Sequence, residues 1–282
     1  MHGINSLVLG VPKYVILVSY ILHHKRNGDW TSSTLLSVKL SIKNTENMTS
    51  ISVYTPWLTT DSFNQMDGMV FMGSCALISV FFFIMKNFFP TDKARAWIVT
   101  LLGSFVLSAI ATVYVIEACQ LHGLMWTTEL IHGEDQLSRV GVLFFVAINV
   151  MDITLGSMFY PKYLDPLSAY FHHTVYVIFA FCLLAHHYAR GLMLCFFMEY
   201  PTFLLALGSL FPSMRGDLLF GILFFLTRIA YNIYFIVTLY RVAPEGLIWR
   251  ICSATLCLHL FWFYKWSIGF MKKRNLKAAK EL

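Results

Sequence analysis

The run Ala169-Tyr170-Phe171-His172-His173-Thr174-Val175-Tyr176 sets two adjacent histidines inside an apolar stretch, Leu167 to Ala185, long enough to cross a bilayer. Imidazoles at membrane depth are costly, so such groups face a bundle interior or a wet cavity and mark a functional site by default. The plain alternative is that both rings bond to neighbouring helices. Neighbours on a helix point about 100° apart, so the two rings do not both face lipid and are expected to share one polar wall.

Outward from this run, the composition is that of a membrane protein. The 282 residues are 57% hydrophobic, 16% aromatic and only 13% charged, with a mean hydropathy of +0.64, far more apolar than a soluble domain. The formal charge of +6 does not point to nucleic acid, because the cations lie in loops and at the C-terminus rather than along one face. The six cysteines form no Cys-x-x-Cys, which argues against a zinc ribbon or a disulfide framework and for small buried hydrophobes.

Seven spans of about 20 residues follow one another. They are expected at Gly68–Phe89, Ala96–Ile116, Val140–Tyr160, Leu167–Ala185, Gly191–Phe211, Leu218–Tyr240 and Leu247–Phe270, separated by breaks such as Pro161-Lys162-Tyr163-Leu164-Asp165-Pro166. The fold class expected is therefore all-α, a polytopic transmembrane helix bundle. Ahead of it, residues 1–67 comprise an apolar segment, Ile4 to Leu22, and a polar segment. The apolar segment reads as an eighth helix, a signal anchor or an interfacial helix, and less well as a cleaved signal peptide. Asn47-Met48-Thr49 is a glycosylation sequon.

Lys86, Lys93, Arg95, Lys162 and Arg215 gather on one side with the tail over residues 271–282, whose Lys272, Lys273 and Arg274 can also touch anionic head groups. That side is expected to be cytosolic, which puts residues 23–67 and the Asn47 sequon in the lumen. The aromatic clusters Phe81-Phe82-Phe83 and Phe261-Trp262-Phe263-Tyr264 with Trp266 are expected to face lipid or the interface.

Four spans carry the polar groups that matter: Asn149 and Asp152, the histidine pair, Glu199, and Arg228 with Asn232. At 1.5 Å per residue, Asp152 lies about 12 Å and the histidines about 8 Å from the cytosolic ends of their spans, with Glu199 at about 18 Å and Arg228 at about 16 Å. One cavity open to the cytosol would keep all of them out of lipid; a buried ion pair of Arg228 with Glu199 or Asp152 is the alternative. Pro201 removes the hydrogen bond to the Phe197 carbonyl and loosens the helix beside Glu199. A histidine serves as base or nucleophile and a carboxylate orients it, a set that fits acyl transfer. No metal is expected. His186 and His187 lie roughly 21 Å along a helix from the pair, and no His-x-x-His or His-x-x-x-His occurs. His186, His187 and Tyr188 read as an interfacial girdle, and His259 as a helix-packing residue.

Asp152, then His172-His173, then Glu199 with its nearby proline, then Phe224-Phe225-Leu226-Thr227-Arg228-Ile229 resemble, in order and spacing, the TLC-domain family. That family includes ceramide synthases and translocating-chain-associated membrane proteins. The resemblance covers about residues 90–270 and implies a six-helix domain with one preceding helix, Gly68–Phe89. It also implies that a histidine pair like His172-His173 transfers an acyl group from acyl-CoA to a sphingoid base or other lipid amine. Ceramide synthases follow the pair with His-Asp-x-x-Asp, where this chain reads Phe197-Met198-Glu199-Tyr200-Pro201-Thr202, a Glu-then-Pro pattern more similar to the non-synthase TLC domain-containing proteins.

The expectation is thus an endoplasmic-reticulum protein of lipid metabolism or lipid homeostasis. His172, His173, Asp152 and Glu199 are the candidate catalytic residues, and Arg228, Asn149, Asn232, Tyr176 and Pro201 line the cavity. Membrane lipids are the expected partners, no cofactor is required, and acyl-CoA is the co-substrate of the ceramide synthase-like alternative. A non-catalytic lipid-binding or regulatory protein and a transporter are the other readings.

Overall fold

The structure, a computed structural model, describes the chain apart from residues 1–3, 12–13, 24–34, 45–47, 60–64, 124, 125, 245, 247 and 282. The apolar segment at 4–22, expected as a helix or signal anchor, runs instead as two antiparallel strands, β1 (Ile4–Val11) and β2 (Tyr14–His23), which continue into β3 (Leu35–Asn44) and β4 (Met48–Thr59) as one four-stranded sheet in the order β1-β2-β3-β4; Asn47 lies outside the described residues. From residue 65 onward the described chain is all-helical. Its α-helices in order are α1 (Gln65–Met85), α2 (Asp92–Arg95), α3 (Ile98–His122), α4 (Thr128–Ile131), α5 (Gln136–Phe159) and α6 (His172–Ala185). Then come α7 (Ala189–Cys195), α8 (Tyr200–Leu210), α9 (Asp217–Leu223), α10 (Asn232–Val242) and α11 (Ile248–Glu281).

Among the described residues, five helical stretches are long and apolar enough to cross a membrane: Gln65–Met85, Asp92–His122, Gln136–Phe159, Ala189–Leu210 and Asp217–Val242. They coincide with five of the seven expected spans. The expected fourth span appears as a shorter apolar helix, Ala169–Ala185, and the seventh falls within α11, which runs on unbroken through the basic tail. The exposed methionines, leucines and isoleucines of α1, such as Met69, Met72, Leu77 and Ile84, suit hydrocarbon rather than water.

By contacts the chain divides into two units, Met1–Val99 with Arg139–Tyr188, and Thr100–Ser138 with Ala189–Leu282. In the first, α1 buries Asp67, Ser74, Ile78 and Phe82, a stripe at helical spacing. Phe82, expected to face lipid, is fully buried against Phe159 and Tyr160, with centroids at 5.3 and 6.2 Å. Asp67, 2% exposed, receives Arg139 Nε on Oδ1 and Nη2 on Oδ2, both at 2.5 Å. This fork pins α1 to α5, and removing one partner of such a buried pair typically costs about 3–5 kcal/mol. At the other end of these helices Lys86 Nζ lies 4.4 Å from the Phe83 ring centroid and 4.7 Å from that of Phe159.

α6 ends in a Schellman turn: Tyr188 N–H donates to Leu183 O at 2.8 Å and His187 N–H to Leu184 O at 3.1 Å. His187, with φ 57°, takes the left-handed position that glycine usually fills. The His186-His187-Tyr188 stretch, expected as an interfacial girdle, thus serves to stop the helix.

In the second unit the stretch ahead of α5 is held by charge. Asp135 caps α5: its Oδ1 accepts from Ser138 N–H at 2.8 Å, and Ser138 Oγ accepts from Asp135 N–H at 3.0 Å, a reciprocal capping box. The same carboxylate takes the Tyr114 hydroxyl at 2.5 Å and lies 2.9 Å from Arg190 Nε, while Arg190 Nη2 reaches Glu117 at 2.7 Å. Gly133 and Gly191 permit this closeness. A Cβ on Gly133 would meet Glu129 O at 3.1 Å and Arg190 Cδ at 3.2 Å, and one on Gly191 would meet Ile131 O at 3.0 Å. Trp126 is buried against Tyr234, with centroids 5.0 Å apart.

Burial alone would raise the Asp135 carboxyl, but the Tyr114 hydroxyl, the Ser138 amide and the Arg190 guanidinium more than offset it and hold it below its ordinary 3.8. A depressed carboxylate stabilises the fold in full above its unfolded value and loses that contribution as pH falls through its folded value. Asp135→Asn keeps a cap acceptor and removes the charge. In thermal unfolding across pH, the gap between wild type and Asp135→Asn is expected to be constant from neutral pH down toward the ordinary carboxylate range and to close below 3.8; a gap that persists unchanged into stronger acid would contradict the account.

Candidate functional site

Asp152, Gly156 and Tyr160 follow one another at intervals of four residues along α5 and its end, so they share one helix face. Gly156 is what lets the tyrosine lie along that face. A Cβ there would stand 2.8 Å from both the Tyr160 ring and Leu164 Cδ2. Tyr160, 1% exposed, thereby donates its hydroxyl to Asp152 Oδ1 at 2.7 Å. The other carboxylate oxygen faces His173, with Nδ1 3.6 Å from Asp152 Oδ2. Both side chains are largely withdrawn from solvent, at 18% and 13% exposure, and Nδ1 makes no hydrogen bond among the described residues.

The histidine pair opens α6 directly after a π-helical turn, Pro166–Phe171. Such wide turns recur at functional sites because they re-aim the side chains that follow. The two rings, 5.7 Å apart by centroid, have different neighbours. His173 turns to Asp152, whereas His172 sits edge-on against Tyr176 at 4.1 Å, and Tyr176 meets Phe145 at 5.7 Å. Asn149, 3% exposed, donates back to Phe145 O at 2.7 Å within α5, so its amide braces its own helix.

The second unit gathers the other expected residues around Arg228. Its Nε donates to Met198 O at 2.9 Å, and its Nη2 to Thr202 Oγ1 at 2.7 Å and to Glu199 Oε1 at 3.3 Å. Its Nη1 lies 3.4 Å from His259 Nε2, and His259 Nδ1 lies 3.1 Å from the Arg228 carbonyl. Only one tautomer satisfies both: Nδ1–H donates to that carbonyl while Nε2 accepts from the guanidinium. Asn232, fully buried, places its Nδ2 3.4 Å from the same ring.

Local backbone explains how these groups meet. Pro201 stands in the first turn of α8, where a missing N–H is tolerated, and a 3₁₀ turn at Phe196–Glu199 joins α7 to α8. Arg228 lies in a π-helical segment, Phe224–Tyr231, between α9 and α10. The helix type changes at Glu199, ahead of Pro201, and the Arg228–Glu199 pair named as an alternative is formed.

The residues expected to share one cavity are therefore distributed between the units: Asn149, Asp152, His172, His173 and Tyr176 belong to the first, and Glu199, Pro201, Arg228 and Asn232 to the second. Three partners were not singled out from sequence. Tyr160 was signalled by its eight-residue spacing from Asp152 across a glycine; Thr202 carried no signal; His259, read as a packing residue, does pack, with Arg228 as its partner. Among the described residues no three His, Cys, Asp or Glu side chains converge as a metal-ligand set.

Chemically, the first cluster is an imidazole with a carboxylate 3.6 Å from Nδ1 and Nε2 on the opposite edge; a small closure to hydrogen-bond distance would orient the ring from behind, as a base requires. The second is a cation whose donors are met from within. No family model, curated protein or solved structure matches this chain.

The seat of Tyr160 is testable without touching a titratable group. Gly156→Ala is expected to push the ring off Asp152 and destabilise the protein by about 1–3 kcal/mol, the usual cost of overpacking, read by thermal unfolding in detergent. Unchanged stability would mean that the ring does not lie over Gly156.

Proposed function

We propose that this chain is a polytopic endomembrane protein of TLC type that acts in lipid metabolism or membrane lipid homeostasis through His172 and His173. The observation that carries the reading is the approach of His173 Nδ1 to Asp152 Oδ2 at 3.6 Å, with Tyr160 holding the other oxygen of that carboxylate. The protein crosses the membrane of the endoplasmic reticulum in seven spans with the basic tail in the cytosol, on the strength of its charge asymmetry.

The reaction class that suits this geometry is acyl transfer from acyl-CoA to a sphingoid base or another lipid amine. The amine nitrogen attacks the thioester carbonyl and a C–N bond forms. Nε2 of His173 takes the proton from that nitrogen, the C–S bond breaks, and the coenzyme A thiolate leaves with the proton. Asp152 keeps the ring in position and stabilises the imidazolium between the two transfers.

A non-catalytic lipid-binding or regulatory role is the second reading. It is favoured by Arg228, whose donors are turned to Met198, Glu199, Thr202 and His259, as in a structural lock.

Purified protein given acyl-CoA and a sphingoid base is expected to release amide product, and His172→Ala with His173→Ala to lower turnover by about 10²-fold or more, the usual weight of a general base. Turnover untouched in the double variant would refute the catalytic assignment. No turnover in wild type, together with loss of co-purifying lipid in the variant, would establish the second reading instead.

A further inference from the structure

α11 changes character at one point along its length: the apolar run ends at Phe270-Met271, and Lys272, Lys273 and Arg274 follow at once. A cleft of about 640 Å³ opens there, with Gly269, Phe270 and Leu276 as its apolar lining and Lys272, Lys273 and Arg274 along its rim. Its geometry is fixed by close packing of α11 on α9. A Cβ on Gly221 would fall 1.9 Å from the Trp266 ring, so only glycine admits that indole. Trp266 in turn stacks on Phe270 at 5.1 Å. Of the aromatic cluster expected to face lipid or the interface, Phe261, Trp262 and Tyr264 are exposed, while the half-buried Phe263 and Trp266 also pack inward, Phe263 stacking on Phe224 at 5.8 Å.

The charges in the cleft are not equivalent. Asp217 accepts Lys273 Nζ on Oδ2 at 2.5 Å and Arg215 Nε on Oδ1 at 2.8 Å, which commits that carboxylate and Lys273 to each other. Lys272 and Arg274 have no carboxylate partner among the described residues. Arg274 instead lies 6.0 Å from the Phe270 ring centroid. What remains is one uncommitted cation on either flank of Lys273, beside the apolar Gly269 and Phe270, at the level where a helix leaves hydrocarbon for the head-group layer.

We propose that this cleft is a binding site for an anionic glycerophospholipid of the surrounding bilayer, its phosphate at the cationic edge where Lys272 and Arg274 flank the Asp217-bound Lys273, and the upper part of its acyl chains against Gly269 and Phe270. Charge complementarity selects the head group, and the apolar lining distinguishes the site from diffuse attraction of a basic tail. The volume lies within the range of clefts that hold small ligands. The site belongs to the second unit and does not depend on the acyl-transfer reading.

Gly269 offers a clean test. A Cβ there meets nothing within 4 Å, so Gly269→Leu fills the cleft without crowding the protein and leaves both cations in place. The full chain in detergent, incubated with equimolar phosphatidylglycerol and phosphatidylcholine, is read by native mass spectrometry, with circular dichroism and elution volume as checks on folding. Wild type is expected to retain phosphatidylglycerol several-fold over phosphatidylcholine. Lys272→Ala and Arg274→Ala each lower that preference by about fivefold, and Gly269→Leu lowers retention although the charge is unchanged. Equal retention of the two lipids, or full retention in Gly269→Leu, would overturn the proposal. So would displacement of phosphatidylglycerol by inorganic phosphate or by an equal amount of palmitoyl-CoA, which would assign the cationic rim to a soluble ligand.

Discussion

A carboxylate carried on an apolar helix has to be met by donors or by a cation, because the surroundings offer it little water. Asp152 is met on one oxygen by the Tyr160 hydroxyl and approached on the other by His173. That single requirement orders much of the first unit. It calls for a tyrosine that lies back along α5, hence a glycine at 156 to make room, and for a histidine at the start of α6, hence the wide turn that sets where α6 begins. The Asp67–Arg139 fork obeys the same rule at the other end of α5.

Departures from regular α-helix accompany the remaining ionisable groups. His172 and His173 follow a π turn, Glu199 closes a 3₁₀ turn, and Arg228 sits inside a π segment. Each departure shifts side-chain directions relative to a regular helix and disturbs the regular ladder of carbonyl bonds. The Met198 carbonyl, in the 3₁₀ turn, is taken by the Arg228 guanidinium. In apolar surroundings a disturbed ladder has to find partners inside the protein, and here the same residues supply both the disturbance and the partners.

The helical character from residue 65 on and five of the spans were legible in the sequence, where Asp152, His172 and His173 stood out as candidates. Hydropathy is a property of stretches, and an ionisable residue stands out against an apolar background. What was not legible depends on geometry that hydropathy does not encode. Phe82 and Phe81 look alike in sequence, yet only Phe82 falls on the stripe with Asp67, Ser74 and Ile78 and is buried. Asp67 read as part of a polar segment, although α1 begins two residues earlier and buries it against Arg139. The Tyr160 signal lay in the four-residue spacing from Asp152 through Gly156, which becomes visible only once the helix end is known. Depth along a span, the one coordinate available from sequence, could not separate the Asp152 cluster from the Arg228 cluster, because residues at equal depth need not lie in the same unit.

The central claim is that His173, with Asp152 and Tyr160 behind it, and the neighbouring His172 form a site that engages a membrane lipid. The most direct measurement is mass spectrometry of the lipids that co-purify with wild-type protein and with the His172→Ala, His173→Ala variant, both shown to be folded. The account predicts that wild type enriches one lipid class over the bulk membrane and that the variant loses this enrichment. The same lipid profile in the two proteins would contradict it.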